Sequence, residues 1–266
     1  MTSHYAVLGN PVAHSLSPDI HAFFAKNTHE DLEYGRVLVP EGEFAKTADA
    51  FFELCDGCNI TVPCKGDAFK YADELTPWAQ AAGAVNTLKK LDDGKILGDN
   101  TDGRGLAADL KRLGIKVAGA RLLIIGAGGA ARGILKPLAD EKPAAITIAN
   151  RTFEKAQDLA AAFSGIAAAA RLGEARGPFD LIINASSSSL KGVLPAVDES
   201  VYQGCGCAYD LMYRPDGRTL FSDHAKEAGA ARAYDGFGML IMQAALSFAL
   251  WRGIMPDAEL ACRHFR

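Results

Sequence analysis

Leu122-Leu-Ile-Ile125 runs directly into Gly126-Ala-Gly128-Gly129-Ala-Ala131, and a helical pattern follows to about Asp140. Strand, glycine turn and helix stand in the order that a dinucleotide-binding βαβ unit requires. Gly126 permits the tight turn and Gly128 lets the backbone approach a pyrophosphate. Ala131 takes the third, close-packing position, where glycine or alanine is accepted. A purely structural glycine turn is the plain alternative, and the apolar strand before it and the helix after it argue against that. The next strand, Ala145 to Ala149, ends at Asn150-Arg151-Thr152. An NAD site calls for an acidic residue about 20 residues past the glycines, to accept hydrogen bonds from the ribose. Here a guanidinium that can pair with a 2'-phosphate in a fork takes that place, flanked by two donors. NADP is therefore the expected cofactor; the plain alternative for Arg151 is a solvated surface charge.

Working outward from this unit, Phe179 to Asn184 and Ala208 to Met212 read as further strands with helices between them. A long helix from about Met239 to Trp251 is apolar on several sides, so it packs within or between domains. The alanine-rich stretch Ala160 to Ala170 sits between helix and strand patterns. Upstream, Thr101 to Leu113 carries Leu106, Leu110 and Leu113 at helical spacing, Gly114 can stop it, and it is expected to join two domains. Before it lies a second alternating series: strands at Tyr5 to Leu8, Leu32 to Val39, Cys58 to Pro63 and Ala84 to Leu91. The last of these turns at Asp92-Asp93-Gly94 into Lys95 to Gly98. Helices are expected at Phe44 to Leu54, at Asp67 to Ala72, and from Ser17-Pro18-Asp19, where a hydroxyl cap, a proline and an acid mark the start and Ile20, Phe23 and Phe24 the buried stripe. Alternation of this kind predicts an α/β fold of parallel sheets with crossover helices.

At 266 residues the chain has about two domains' worth of length. Apolar residues at 49% against charged ones at 23% exclude a disordered chain, and a net charge of -4 with no basic block argues against a nucleic-acid partner. No apolar run is long enough to span a bilayer, because Gln243 and Arg252 bracket Ala244 to Trp251. The start, Met1-Thr-Ser-His-Tyr5, shows no signal peptide, so a cytoplasmic protein with a small-molecule substrate is expected. Among the six cysteines, Cys55-x-x-Cys58 with Cys64, Cys205 and Cys207 could supply thiolates to zinc, or Cys55 and Cys58 a redox pair. That pair feeds a strand instead of opening a helix, so reduced thiols used as small apolar residues are the better reading, and no metal is expected.

Three polar constellations precede the glycine loop: Gly9-Asn-Pro-Val-Ala-His-Ser15-Leu-Ser17-Pro, Asn59-Ile-Thr61-Val-Pro-Cys-Lys65, and Ala84-Val-Asn86-Thr with Gly98-Asp-Asn-Thr-Asp102-Gly. They crowd hydroxyls, amides, one lysine and one aspartate at strand ends, where open sheets bind ligands, which suggests a small, highly oxygenated substrate. Singly, each has a plain reading: Ser17 as a helix cap, Asn86 as a turn residue, Asp102 as a helix start, Lys65 as a surface charge.

The motifs GNPVAHSLSP, NITVPCK, AGAVNTL, GDNTDG, GAGGAAR, NRT, YDLMY and DGFGMLIMQAA occur in order over nearly the whole chain. Together they resemble the shikimate/quinate dehydrogenase family. The resemblance implies NADP-dependent interconversion of 3-dehydroshikimate and shikimate, in chorismate and aromatic amino acid biosynthesis, by a monomer or homodimer. It implies an N-terminal α/β substrate domain, residues 1–101 together with 237–266, and an inserted Rossmann-type NADP-binding domain, residues 102–236. By motif, Lys65 is the acid/base residue and Asp102 its partner; Ser15 and Ser17 bind the substrate carboxylate; Thr61, Asn86, Tyr213 and Gln243 face its ring and hydroxyls. Gly126, Ala127, Gly128, Gly129 and Ala130, with Asn150, Arg151 and Thr152, hold the cofactor, and Leu211 and Gly236 lie near the nicotinamide. A ketone reduced by hydride leaves an alkoxide, which a lysine ammonium both stabilises and protonates.

Three departures stand out. Cys64 replaces a more usual His or Phe, Ser186 to Ser189 lacks an expected glycine, and the loop from Arg214 to Thr219 is one residue longer. The last two bear on cofactor affinity and loop closure. Two alternatives follow: a quinate/shikimate enzyme with relaxed cofactor use, or a non-catalytic NADP(H)-binding regulator, which would be expected to have lost Lys65 or Asp102.

Overall fold

In the computed structural model, which describes residues 2–189 and 192–266, the apolar runs become two six-stranded sheets. The chain divides into two units, Met1–Gly105 with Leu240–Arg266, and Leu106–Met239.

The first unit contains β1 (Ser3–Gly9), β2 (Leu32–Leu38), β3 (Gly57–Ile60), β4 (Glu74–Leu75), β5 (Thr87–Lys90) and β6 (Ile96–Asp99), in the order β2-β1-β3-β5-β6-β4. β1 runs parallel to β2 and β3, but β5 is antiparallel to both of its neighbours. The turn read at Asp92-Asp93-Gly94 is the hairpin that joins β5 to β6, so this sheet is mixed. Only Leu91 to Lys95 separates β5 from β6, which suffices for a hairpin and not for a crossover. Ala6, Leu8, Cys58 and Ile60 pack on one face with Phe44, Ala48 and Phe52 of α2 (Phe44–Phe52) and Ala68 of α3 (Lys65–Tyr71). Tyr5, out of step with Ala6 by the strand period, stacks at 4.6 Å on Trp251 of α9 (Phe237–Arg252). Ile20 and Phe24 of α1 (Ser17–Thr28) are fully buried, with Phe24 edge-on to Phe248 at 5.8 Å. α9 thus completes the core of the first unit, and Trp251 Nε1 donates to the Leu88 carbonyl at 3.0 Å. α4 (Pro77–Ala82) and α10 (Ala258–His264) complete the unit.

The start of α1 differs from expectation. Leu16 occupies the cap position, Ser17 is already helical, and no side chain caps the helix. The Ser15 hydroxyl instead accepts the Ser17 N–H at 3.2 Å, closing a local turn.

The second unit contains β7 (Arg121–Ile125), β8 (Ala145–Asn150), β9 (Ala167–Arg171), β10 (Leu181–Asn184), β11 (Cys207–Asp210) and β12 (Ala233–Tyr234), in the order β12-β11-β10-β7-β8-β9. Every pairing is parallel. This is the doubly wound order, with its switch point at β7. Leu122 and Ile124 pack with Ile134, Leu135 and Leu138 of α6 (Gly129–Asp140), with Leu159 of α7 (Phe153–Ala161), and with Leu106 and Leu110 of α5 (Asp102–Arg112). Leu123 and Ile125 face the other way, toward Phe221 of α8 (Leu220–Glu227) and toward Tyr202, which precedes β11. Burial of both faces is why the strand reads as an unbroken apolar run, each side chain contributing roughly 1.5 to 3 kcal/mol. The units part inside α5 and inside α9, beyond the expected boundaries at the starts of those helices, because each helix is continuous across its boundary. Among the described residues no helix is long and apolar enough to cross a membrane.

Candidate active site

The carboxyl edge of the first sheet gathers the polar constellations. β3 ends at Ile60, and the loop Thr61 to Cys64 delivers Lys65 as the first residue of α3; β6 ends at Asp99, and Asp102 opens α5. Because β5 runs the opposite way, the residue before it, Asn86, lies at the same edge. Its backbone accepts from Ile60 N at 2.7 Å and donates to the Asp99 carbonyl at 3.0 Å. A Cβ on Gly9 would clash with Thr61, so only glycine lets β1 end against that loop.

Lys65 Nζ donates to Asp102 Oδ2 at 2.6 Å, and Asn86 Nδ2 donates to Asp102 Oδ1 at 2.8 Å. Both carboxylate oxygens are thereby engaged. The ammonium gives one of its three protons to Asp102 and, with its side chain 31% exposed, can offer another to a ligand. Gln243 Oε1 lies 3.4 Å from Asn86 Nδ2 and from Thr101 Oγ1. α5 and α9 come close enough for this because residue 105 is glycine: a Cβ there would stand 2.7 Å from Gln243 N.

A buried hydrogen-bond network supports this edge. Asn86 Oδ1 accepts from Thr101 N and Thr87 Oγ1, both at 2.9 Å, and Thr87 shares a 2.8 Å bond with Ser247. Asn59 Nδ2 donates to Ser247 at 3.0 Å, and Asn59 Oδ1 accepts the Tyr34 hydroxyl at 2.7 Å. Networks satisfied in this way hold one geometry, since breaking any member strands a buried polar group. Tyr34 stacks face to face on His21 at 4.3 Å. Burial raises the Tyr34 pKa well above the usual value and lowers that of His21 to about 3, so both stay neutral. Neither ring nitrogen of His21 has a hydrogen-bond partner among the described residues.

Ser15 Oγ donates to Ser17 Oγ at 3.1 Å, so the two hydroxyls form a pair, and Ser17 also meets the Tyr34 hydroxyl. Cys64 is buried beside Lys65, and burial, then Asp67, raises its thiol pKa.

In the second unit Gly126 has φ +112°, a left-handed conformation that favours glycine, and α6 begins at Gly129. Gly128, Gly129 and Ala130 are exposed, Ala127 half-buried, and a Cβ at Gly128 or Gly129 would meet nothing within 4 Å. An exposed loop leading into a helix start, with free N–H groups, is suited to an anion. Past β8, Asn150 Nδ2 donates to the Thr152 carbonyl at 2.8 Å, and Arg151 and Thr152 are exposed. Gly236 N donates to Met212 O at 2.9 Å, and a Cβ on Gly236 would strike the Leu211 carbonyl, so these two residues are adjacent. Asp210 carries this side of the fold. It accepts from Asn184 Nδ2 at 3.1 Å, Ser189 Oγ at 2.6 Å and Met212 N at 3.1 Å, while burial raises its pKa. Ser189 of the glycine-poor loop is thus tied to a buried carboxylate.

Lys65, Asp102, Asn86 and Gln243 are therefore drawn into one cluster, and Ser15 with Ser17 into another on the same unit. Tyr213 belongs to the second unit, half-buried with its ring 6.2 Å from Phe237. Sequence reasoning passed over Asn59, Thr101, Ser247 and Gly105. Asn59 and Thr101 stood inside quoted motifs, and Gly105 was signalled by a glycine within an amphipathic helix, which usually has a packing reason. Ser247 gave no signal, since one serine in an apolar helix is unremarkable. Among the described residues no group of three or more His, Cys, Asp or Glu is arranged to hold a metal.

Comparison with known proteins gives this geometry its context. Residues 7–88 match the family described as "Shikimate dehydrogenase substrate binding domain", residues 108–197 "Shikimate / quinate 5-dehydrogenase", and residues 236–261 "Shikimate 5'-dehydrogenase C-terminal domain". The chain is 52% identical over 265 residues to a shikimate dehydrogenase (NADP(+)) of Vibrio campbellii, covering 98% of this chain and 95% of that one. Its fold is similar to that of the Ael1 enzyme from Pseudomonas putida, at TM-score 0.95 and 39% identity, covering 99% and 98% of the two chains. It is also similar to a shikimate 5-dehydrogenase from Thermus thermophilus, solved with NADP(H) and shikimate, at TM-score 0.89 and 35% identity over 100% of both chains. With family matches in both units and more than half of the aligned residues shared with a curated relative, the chain belongs to the shikimate dehydrogenase family and is an oxidoreductase.

Proposed function

We propose that this chain interconverts 3-dehydroshikimate and shikimate with NADP(H) as its cofactor, in the route to chorismate and the aromatic amino acids. The observation that carries the proposal is the Lys65 ammonium held at 2.6 Å by Asp102, on the sheet edge where Asn86 and Gln243 converge. When bound, NADP(H) supplies or takes up the hydride. In the reducing direction Lys65 Nζ donates a proton to the oxygen that gains charge at the former carbonyl, and in the oxidising direction it takes the hydroxyl proton away. Asp102 orients the ammonium, and Asn86 keeps the carboxylate from turning. Ser15 and Ser17 hold the substrate carboxylate; Thr61, Asn86 and Gln243 take the ring and its hydroxyls.

The residues of the second unit fit the cofactor. The exposed turn at Gly128 and Gly129 leaves room for a pyrophosphate at the α6 N-terminus, where Gly126, Ala127 and Ala130 complete the cradle. Asn150, Arg151 and Thr152 take the 2'-phosphate, and Leu211 and Gly236 border the nicotinamide. The test is turnover of shikimate and quinate, each with NADP and with NAD. Shikimate with NADP is expected to give the highest kcat/KM. Preference for quinate or for NAD would overturn that part of the assignment, and binding of NADPH with no turnover of either acid would overturn the whole.

A further inference from the structure

We infer that Arg171 is a second reader of the cofactor's 2'-phosphate, working beside Arg151 from the neighbouring strand; this rests on the NADP reading above. β8 and β9 are parallel neighbours in which Asn150 faces Arg171 in register, so the two strands end side by side. Past β8 the chain turns through Arg151 and Thr152 into α7, whose first residue is Phe153. The Arg171 guanidinium lies over the Phe153 ring, 4.9 Å from its centroid. The two arginines therefore flank one loop, and both are exposed. Among the described residues neither side chain has a hydrogen-bond or ion-pair partner. In a chain of net charge -4, two guanidiniums at neighbouring strand ends, neither in an ion pair among the described residues, make a local positive field.

The ring fixes what that field is for. A guanidinium over an aromatic face spends no N–H donor on a hydrogen bond there, and the contact limits the rotamers it would otherwise lose on binding. A phosphate monoester carries a charge near -2 and three acceptor oxygens, more than one fork satisfies. A 2'-hydroxyl offers neither, so Arg171 discriminates between NADP and NAD without contributing to the rest of the dinucleotide. If Arg171 only covered Phe153, its loss would lower stability and affect both cofactors alike.

Binding of NADPH, NADH, adenosine 2',5'-bisphosphate and ADP is to be measured by calorimetry for the wild-type chain, Arg171→Ala, Arg171→Lys and Arg151→Ala, with the urea midpoint of each as a folding control. Arg171→Ala is expected to weaken NADPH and adenosine 2',5'-bisphosphate about tenfold and to leave NADH and ADP within about twofold. Arg171→Lys keeps the charge and loses the fork, and is expected to fall between. Equal losses for NADPH and NADH, or no loss for the bisphosphate while Arg151→Ala still shows a selective one, would overturn the role of Arg171 and leave the NADP reading intact. A wild-type chain that binds NADH as well as NADPH would overturn both.

Discussion

Gly105→Ala tests how the first unit brings Gln243 to Asp102 and Asn86. An added Cβ would lie 2.7 Å from Gln243 N, 2.8 Å from Gln243 Cβ and 2.9 Å from Gln243 Cα. Ordinary contacts start near 3.4 Å, so α5 and α9 must separate by more than half an ångström. Two effects compete. Alanine is the better helix former, by about 0.5 to 1 kcal/mol. Overpacking costs about 1 to 3 kcal/mol, and since two of the obstructing atoms are backbone, no rotamer change relieves it. With backbone atoms in the way the cost lies toward the upper end of its range, so overpacking wins, for a net loss of up to about 2.5 kcal/mol. The 3.4 Å contacts of Gln243 with Asn86 and Thr101 are already long, so a further shift breaks them. Urea denaturation should show the lowered midpoint, and steady-state kinetics a raised KM for shikimate. Gly66→Ala in α3, where a Cβ meets nothing within 4 Å, is the stability control and should be neutral or stabilising. A Gly105→Ala protein as stable as wild type with unchanged KM would refute the argument that this close approach positions Gln243.

Four further outcomes are expected. Lys65→Ala should lower kcat by roughly 10²- to 10⁴-fold and Asp102→Asn by less, with the double variant losing little beyond Lys65→Ala; additive losses would separate the two residues. Ser15→Ala with Ser17→Ala should raise the shikimate KM more than it lowers kcat, with some loss of stability because the Ser17 N–H loses its Ser15 acceptor, read by the urea midpoint; unchanged KM removes the pair from the site. Arg151→Ala should weaken NADPH by roughly 1.5 to 3 kcal/mol and spare NADH, as read by cofactor titration. His21→Phe should flatten the acid side of the stability curve. The folded-state pKa of about 3 lies below the unfolded value near 6.5, so unfolding takes up a proton, and stability present above pH 6.5 is lost as pH falls toward 3. That loss is about 2 kcal/mol between pH 6.5 and 5, and identical urea midpoint shifts for wild type and variant would contradict it.

Which parts of this protein were legible in one dimension follows from the range of the forces involved. The strand, glycine turn and helix at Leu122 to Asp140, the hairpin turn at Asp92-Asp93-Gly94 and the end of α5 before Gly114 (φ +67°) are written in neighbouring residues, because period, turn chemistry and chain reversal act over a few positions. Lys65, Asp102 and Asn86 were legible as polar residues at element ends. Their arrangement was not, since it depends on the direction of β5, and Asn86 reaches the carboxyl edge only because that strand runs antiparallel. The reading of Ser17 as a cap failed for a smaller reason: Ser15 bonds to the N–H of Ser17, and the helix starts one residue earlier than a cap at 17 requires. Ser247, 188 residues from Asn59, and the crossing of α5 and α9 at Gly105 were decided by tertiary structure alone. A sequence states which residues prefer a helix or a strand. Which buried amide meets which hydroxyl, and how closely two helices approach, is settled only when the folded chain must satisfy every buried polar group and fill its volume at once.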